Sequence, residues 1–490
     1  MPNPPPERED GPAGTPGAGR TWTRPAAGAG LVAGVALVVV IIGSALTGSP
    51  TGGPVAAASP SAPSSAPASA GASVAPSTTP APAPTQTTAP TPGVTESPNP
   101  SPTMDPEAVA ILLDGRLEDL RRRSGIPGVS VAIVWDDGRR WLGASGSANI
   151  ADKEPMTTGT GFALASVSKT MTAAIVLQLV GEGRLTLDQA VASLLPAYAL
   201  DRGITVRMLL DHTSGLPDYF LNPKIDKPLR ARPDAAWTPE RAWTFVLPKR
   251  PVPGTVWRYS NSNYLLLGEL VEAVTGRPLA AEVRQRILDP LALETAWYQA
   301  VETPRAEGAT GYRRVAKSGG GTRYVAVAPP SDMMPFRSVV TATGGAGSVA
   351  STALDAARWM GAFAGGRVLP ADLQAAMLAD ATMTQMLRAG VPYGLGIRVM
   401  SVDGRRALGH AGRFLGFRNI VLYLPETRLS IAVLTNQSTY DPARIATMLL
   451  RIVSPRPVVT PSPSVTPSPS VPLPVSPSPA QTGAPESAAP

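Results

Sequence analysis

Lys169 is one of only six lysines among the 43 basic residues of the chain, and it stands in the stretch FALASVSKTM, residues 162–171, surrounded by alanine, valine and methionine. Ser166 precedes it by three positions, which on a helix brings the two side chains onto one face about a turn apart. The segment that follows, to about residue 181, carries Met171, Ile175, Leu177, Leu179 and Val180, an apolar pattern wide enough for burial nearly all round. Burial disfavours the charge of an ammonium, so the lysine pKa falls and the amine becomes a usable base beside a hydroxyl. The helix start under Ser166 also offers free N–H groups that can stabilise an oxyanion. The other reading of the pair is a lysine that snorkels to the surface and a serine that caps the helix.

Other residues with chemical potential are few. The chain has two histidines, His212 and His410, nearly 200 positions apart and without a carboxylate pattern around them, so no metal site is expected. His212 follows Asp211 directly, but adjacent residues rarely point at one site, and a structural role is expected in place of a Ser-His-Asp triad. No Gly-Lys-Ser/Thr follows Gly344, Gly345 and Gly347, so these do not read as a phosphate loop. They read as a tight approach before a helix capped by Thr352 with Asp355 three residues on. The absence of cysteine excludes disulfides, thiolate metal sites and a cysteine nucleophile. No cofactor is expected. The net charge is +7, but the arginines are scattered apart from Arg121 to Arg123, a run that reads as the solvated end of an amphipathic helix. No nucleic-acid partner is expected.

The elements that must position these residues occupy only part of the 490 residues. Residues 1–25 read as a disordered cytoplasmic N-terminus. Residues 26–46 are 21 consecutive uncharged residues within a 26–47 segment, and as a helix they would span about 31 Å, the thickness of a bilayer core. Arg8, Arg20 and Arg24 precede this span and no basic residue follows until Arg116, which predicts a signal anchor with the N-terminus in the cytoplasm and the remainder outside. A cleaved signal peptide with a site near Ala56 to Ala58 is the alternative. Residues 48–104 are a Pro/Ser/Thr/Ala-rich linker, and 457–490 a Pro/Ser-rich disordered tail.

Residues 105–456 read as one globular domain. Asp105 can cap a first helix with Pro106 at its first position, and Val109, Leu112, Leu113, Leu117 and Leu120 form its apolar stripe. GVSVAIVW and RRWLGASG predict strands joined by the Asp-Asp-Gly turn at 136–138. GFRNIVLYL and RLSIAVLTN predict a second hairpin around Pro425, Glu426 and Thr427, followed by a helix over about 441–453. Strands at both ends with mostly helices between them predict an α+β fold: an antiparallel sheet of about five or more strands, flanked by N- and C-terminal helices, with an inserted helical region.

Two further short elements each occur once: Tyr-Ser-Asn at 259–261, within WRYSNSNYLLLGEL, and His-Ala-Gly at 410–412, within LGHAGRFLGF. With Ser-Val-Ser-Lys at 166–169 they resemble the three signature elements of the penicillin-recognising serine enzymes, in the order and at roughly the separations of the class C β-lactamase and DD-carboxypeptidase branch. ITVRMLLDHTSGLPDY (204–219) and GGAGSVASTALDAARW (344–359) are similar to stretches of that family, and the resemblance spans about 105–455. It implies that Ser166 is the acylated nucleophile and Lys169 its partner in proton transfer. Tyr259 would shuttle the proton to the leaving group, with its phenol pKa lowered by nearby positive charge. Asn261 would bond the substrate amide or the lysine, and the N–H groups of Ser166 and of Arg413, the residue after Gly412, would form the oxyanion hole. His410 stands where the commonest pattern has lysine, and resembles the variant of DD-carboxypeptidases and some aminopeptidases and esterases. A histidine is only partly protonated near neutrality and Ala411 adds no hydroxyl, so carboxylate recognition is expected to fall to Arg413 or to another residue.

The expected function is therefore that of an exported, membrane-anchored serine hydrolase working through an acyl-enzyme, DD-carboxypeptidase-like on D-amino-acid peptides of the cell wall. An esterase, β-lactamase or D-aminopeptidase of the same family is the alternative. A non-catalytic peptidoglycan- or β-lactam-binding protein is a third, against which the joint presence of Ser166, Lys169 and Tyr259 speaks. The expected partners are a small-molecule or peptide substrate and, through residues 26–47, the membrane.

Overall fold

The computed structural model describes residues 105–455 apart from 249, 329–331 and 391. The expected anchor, linker and tail lie outside the described residues. Among those that are described, no helix is long and apolar enough to cross a membrane.

The strands are β1 (Gly128–Trp135), β2 (Arg140–Asn149), β3 (Glu154–Pro155), β4 (Phe162–Ala163), β5 (Trp297–Tyr298), β6 (Tyr312–Ala316), β7 (Thr322–Ala326), β8 (Val349–Ser351), β9 (Arg398–Val402), β10 (Arg405–Phe414), β11 (Phe417–Leu424) and β12 (Leu429–Thr435). Seven of them form one antiparallel sheet in the order β3-β2-β1-β12-β11-β10-β9. The N- and C-terminal hairpins meet in its middle, where Val129 faces Thr435 and Trp135 faces Leu429. Both hairpins turn where the sequence predicts. Asp137 accepts a hydrogen bond from the Arg139 N–H at 3.0 Å and Gly138 takes φ +87°, a left-handed conformation that glycine adopts without steric cost.

The helices that matter for the site are α1 (Pro106–Ser124), α2 (Ser168–Gly181), α3 (Asn261–Thr275), α4 (Ala353–Ala364) and α5 (Ala443–Val453). Val129, Val131 and Ile133 join Leu113, Leu117 and Leu120 of α1 and Ile445 and Leu449 of α5 in one apolar core. The alternate residues Ser130 and Ala132 are small, and α4 packs across β1, β11 and β12 on that other face. With both faces covered, β12 is buried at each of its positions, which is why its centre, IAVL, is apolar on both faces with no alternation. Leu112 departs from the expected stripe: it is 51 % exposed, while Leu113, Leu117 and Leu120 are buried. Arg122 and Arg123 lie on the solvated side of α1 as expected, pairing with Glu118 and Asp119.

The chain between β3 and β9 is mainly helical and carries two small sheets, β4-β8-β5 and β6-β7. It is tied to the main sheet beside Ser166, where the Asn419 side-chain amide of β11 donates to the Ala163 carbonyl of β4 at 2.6 Å. A Cβ at Gly412 of β10 would come within 2.2 Å of the Leu164 carbonyl oxygen, so only glycine permits this approach of backbone to backbone.

Candidate active site

Ser166 lies in a short 3₁₀ turn, Ala165–Val167, that leads from β4 into α2. Ala165 takes φ +50°, a left-handed conformation that a residue with a Cβ rarely adopts, and such strain concentrates at functional turns. The first turns of α2 are polar yet buried, and each hydroxyl has a partner that explains it. Ser168 Oγ accepts from the Val349 N–H at 3.1 Å, Thr170 Oγ1 accepts from Trp359 Nε1 at 2.7 Å, and Thr172 Oγ1 donates to the Gly345 carbonyl at 2.8 Å. These bonds lock the helix start against β8, α4 and the glycine segment. Close approach is again the reason for glycine at 345, where a Cβ would meet the Tyr264 carbonyl at 2.5 Å. Thr352 does start α4, but without the expected side-chain cap; its hydroxyl and the Asp355 carboxylate bond Thr295 instead.

Lys169 does not snorkel: it is 0 % exposed. Its Nζ donates to the Ala346 carbonyl at 2.7 Å and to Asn261 Oδ1 at 2.8 Å, and lies 3.2 Å from Ser166 Oγ. Burial pulls its pKa from 10.5 to about 7, against the pull of Asp218 upward and with the help of Arg398. The two carbonyl oxygens are acceptors and occupy two N–H positions. On a neutral amine the remaining position, toward Ser166, is therefore the unshared pair. The amine is placed to take the serine hydrogen.

Tyr259 joins this group through its ring, whose centroid is 5.2 Å from Lys169 Nζ. Its hydroxyl is buried and without a hydrogen-bond partner of normal geometry among the described residues, while the nearby Ser166 hydroxyl exerts a downward pull on its pKa. The expectation of a lowered phenol pKa is not met. Burial dominates and raises it well above 10, with Arg398 and Ser166 opposing only in part. Tyr259 is thus a phenol that keeps its proton. The partly protonated His410 is corrected in the same way. It is 1 % exposed, and burial, with Arg398 and Lys169 nearby, holds its pKa well below 6.5. Its Nδ1 faces the Ala411 carbonyl at 2.8 Å and its Nε2 the Tyr393 hydroxyl at 3.1 Å, which places the hydrogen of the neutral ring on Nδ1 and leaves Nε2 to accept.

His212 sits behind Tyr259, ring centroids 4.3 Å apart. Its Nδ1 accepts from the Ser260 N–H at 3.3 Å and lies 3.2 Å from Asn263 Nδ2. Asp211 bonds the N–H and hydroxyl of Thr213, not the histidine. Burial raises the Asp211 carboxyl to about 7, above the ordinary value of about 3.9 in an unfolded chain. Between these values the folded state holds a proton the unfolded state has lost, so this group's contribution to stability declines as pH rises from about 4 to about 7. The Tm of Asp211→Asn is therefore expected to gain on wild type progressively across that range in thermal melts. A constant difference would contradict the buried-acid assignment.

Two charged side chains of the site were not singled out from the sequence. Asp218 accepts from Asn261 Nδ2 at 2.7 Å. Arg398, on β9, lies with its guanidinium 5.5 Å from the Tyr259 ring centroid and 5.7 Å from that of Tyr393. Its Nε is buried without a hydrogen-bond partner among the described residues. Its charge acts on Lys169, Tyr259 and His410. Arg413 is half-buried and leaves β10 on the face opposite His410, so Arg398 supplies the cation against Tyr259. An arginine breaking the apolar run LGIRVM was the available signal for it. Among the described residues no group of acidic and histidine side chains could hold a metal ion.

Residues 113–453 match the family described as Beta-lactamase. A D-aminopeptidase of Brucella anthropi is 29 % identical over 313 residues, covering 63 % of this chain and 56 % of that protein, so the chain spans about half the length of the curated relatives it matches. Among solved structures, the D-amino acid amidase from Ochrobactrum anthropi SV3 complexed with L-phenylalanine amide superposes with a TM-score of 0.59 at 25 % identity, covering 71 % of this chain and 98 % of that one. A D-stereospecific amidohydrolase from Streptomyces sp. gives 0.58 at 26 % identity, with the same two coverages.

Proposed function

This chain belongs to the beta-lactamase family of serine hydrolases, and we propose that it hydrolyses D-amino-acid peptides of the cell wall through an acyl-enzyme on Ser166. The observation that carries this reading is the buried Lys169, bonded to two carbonyl oxygens with its third position on Ser166 Oγ. Neutral Lys169 takes the Ser166 hydrogen as Oγ attacks the substrate carbonyl, and the Ser166 and Arg413 N–H groups receive the oxyanion. Tyr259, still protonated, passes its hydrogen to the leaving nitrogen and is reprotonated by Lys169. Water then attacks the acyl-serine, and the same groups return the hydrogen to Ser166 as the acid leaves. Gly412 keeps β10 close beside the acyl group, and of the two expected partners of Asn261, the substrate amide and the lysine, its oxygen holds the lysine. His410, neutral, accepts the Tyr393 hydrogen and helps fix that wall of the site.

Arg398 favours a substrate with a free carboxylate, as in a DD-carboxypeptidase, because a guanidinium with no acid paired to it among the described residues offers a fork that fits one. The relatives favour a second reading, a D-aminopeptidase or D-amino-acid amidase, in which the scissile group carries no carboxylate. Arg398→Gln separates them at pH 8.5, where Lys169 is neutral. The expected result is a KM about tenfold or more higher for a D-Ala-D-Ala peptide, with D-alanine amide turnover little changed. Equal effects on both substrates would contradict carboxylate recognition. For the whole protein, the proposal places the catalytic domain outside the cell, held by residues 26–47 on the 48–104 tether.

A further inference from the structure

Asp218 is a carboxylate with 3 % exposure whose hydrogen bonds, among the described residues, come from neutral groups and not from a cation. One oxygen accepts from the Phe220 N–H at 3.0 Å and the other from Asn261 Nδ2 at 2.7 Å. The loop that presents it is pinned to the start of α3 by neighbouring bonds: the Tyr219 N–H donates to Ser262 Oγ at 3.2 Å, and Ser262 Oγ donates to the Pro217 carbonyl at 2.6 Å. Burial raises the Asp218 carboxyl from 3.8 to about 6, so above that pH it is ionised and can only accept. An asparagine amide beside it must therefore turn its NH₂ to the acid and its oxygen the other way, toward Lys169.

We infer that Asp218 is a positioning residue for acyl transfer: by holding the Asn261 amide with its oxygen toward Lys169, it directs the unshared pair of the amine at Ser166. The inference rests on the acyl-enzyme reading above. If the amide were reversed, its NH₂ would face the amine, which would then have to turn its unshared pair to Asn261 and away from Ser166. The oxygen of Asn261 and the carbonyl of Ala346 together hold the amine in its working orientation.

The other titratable and charged groups around Lys169 are Arg398, Tyr259, Tyr264, His212 and His410; Tyr219 and Tyr259 lie in the field of Asp218. Burial holds the phenols above their usual range and the imidazoles below theirs. Asp218 and Arg398 therefore set the electrostatic bias on Lys169 near neutrality. Asp218 opposes the fall of the lysine pKa, so removing its charge lets that pKa fall further.

The test follows the rate of covalent labelling of the full chain by a fluorescent penicillin between pH 5 and 9. Asp218→Asn turns one acceptor into a donor, which favours the reversed amide. The expected result is a labelling rate at least about tenfold slower on its upper plateau, with the midpoint of the acid limb about one pH unit lower. A slower rate with an unmoved midpoint would mark a merely structural residue, and a wild-type profile would remove Asp218 altogether; either overturns the inference. Should Asp218→Asn fail to fold, the double variant Asp218→Asn/Asn261→Asp restores donor–acceptor complementarity with a carboxylate directly on Lys169. Its midpoint is expected above that of wild type, and one at or below it overturns the inference. Labelling that persists in Ser166→Ala would instead refute the acyl-enzyme reading itself.

Discussion

Ser166→Ala is expected to abolish covalent labelling by a fluorescent penicillin and to lower kcat/KM for D-amino-acid amides and peptides by about 10⁴-fold or more. The size of the loss follows from what Ser166 is asked to do. The acyl-enzyme route divides a difficult hydrolysis into two easier steps, and without the hydroxyl neither step exists. Oxyanion stabilisation and substrate binding would still assist a direct attack by water, which leaves a small residual rate. The fold should persist, because Ser166 occupies a turn held by its neighbours: Ser168, Thr170 and Thr172 supply the bonds to surrounding elements. An unchanged melting profile together with the lost activity is the full expected result. Labelling of the variant at the wild-type rate would place the nucleophile elsewhere.

Lys169→Met is expected to cost about 10²- to 10⁴-fold in kcat/KM, the range for a general base, and to erase the pH dependence of that base. Methionine nearly matches the length of the lysine stem and suits its dry surroundings, so the change removes the amine with little change of volume. In the wild type the amine must be neutral to accept a hydrogen. Its pKa, drawn down by burial to about 7, therefore sets an acid limb: kcat/KM should fall about tenfold per unit as pH drops below that point and level off above it. Tyr259 and His410 do not set this limb, since burial raises the phenol well above 10 and holds the imidazole well below 6.5. A steep acid limb surviving in Lys169→Met, at unchanged plateau rate, would exclude the lysine as the base.

The parts of the fold legible in the sequence are those where one physical pattern dominates. The β1–β2 and β11–β12 hairpins follow from apolar runs of strand length broken by turn residues, and α1 from an acid, a proline and an apolar stripe. Leu112 falls outside its stripe because α1 is covered on one side only, and a helical period does not fix how wide the covered arc is. Much of the chain between β3 and β9 resists such reading: outside its longer helices, one-turn helices and strands of two to five residues carry too few periods, and long-range bonds such as Thr172 to Gly345 define its course.

The site divides in a similar way. A lysine within an apolar helix is conspicuous, and its lowered pKa follows from burial alone. Tyr259, Asn261 and His410 are ordinary residue types that only the family resemblance singles out. The ionisation of Tyr259 and His410 is not legible, because sequence indicates which charges are near but not how dry the surroundings are; desolvation outweighs Arg398 at Tyr259 and keeps the His410 ring neutral. Asp218 carries no local signal, since an acid between proline and tyrosine resembles any loop residue. Its role comes from α3 meeting the 214–219 loop, more than 40 positions away in sequence.

The most direct measurement is peptide mapping by mass spectrometry after acid quench of the full chain with a penicillin, at pH 6 and at pH 8. The expected result is one adduct per chain on the peptide containing Ser166, formed roughly tenfold faster at the higher pH. An adduct on any other residue, or none at either pH, would contradict acyl transfer through Ser166 and its buried amine.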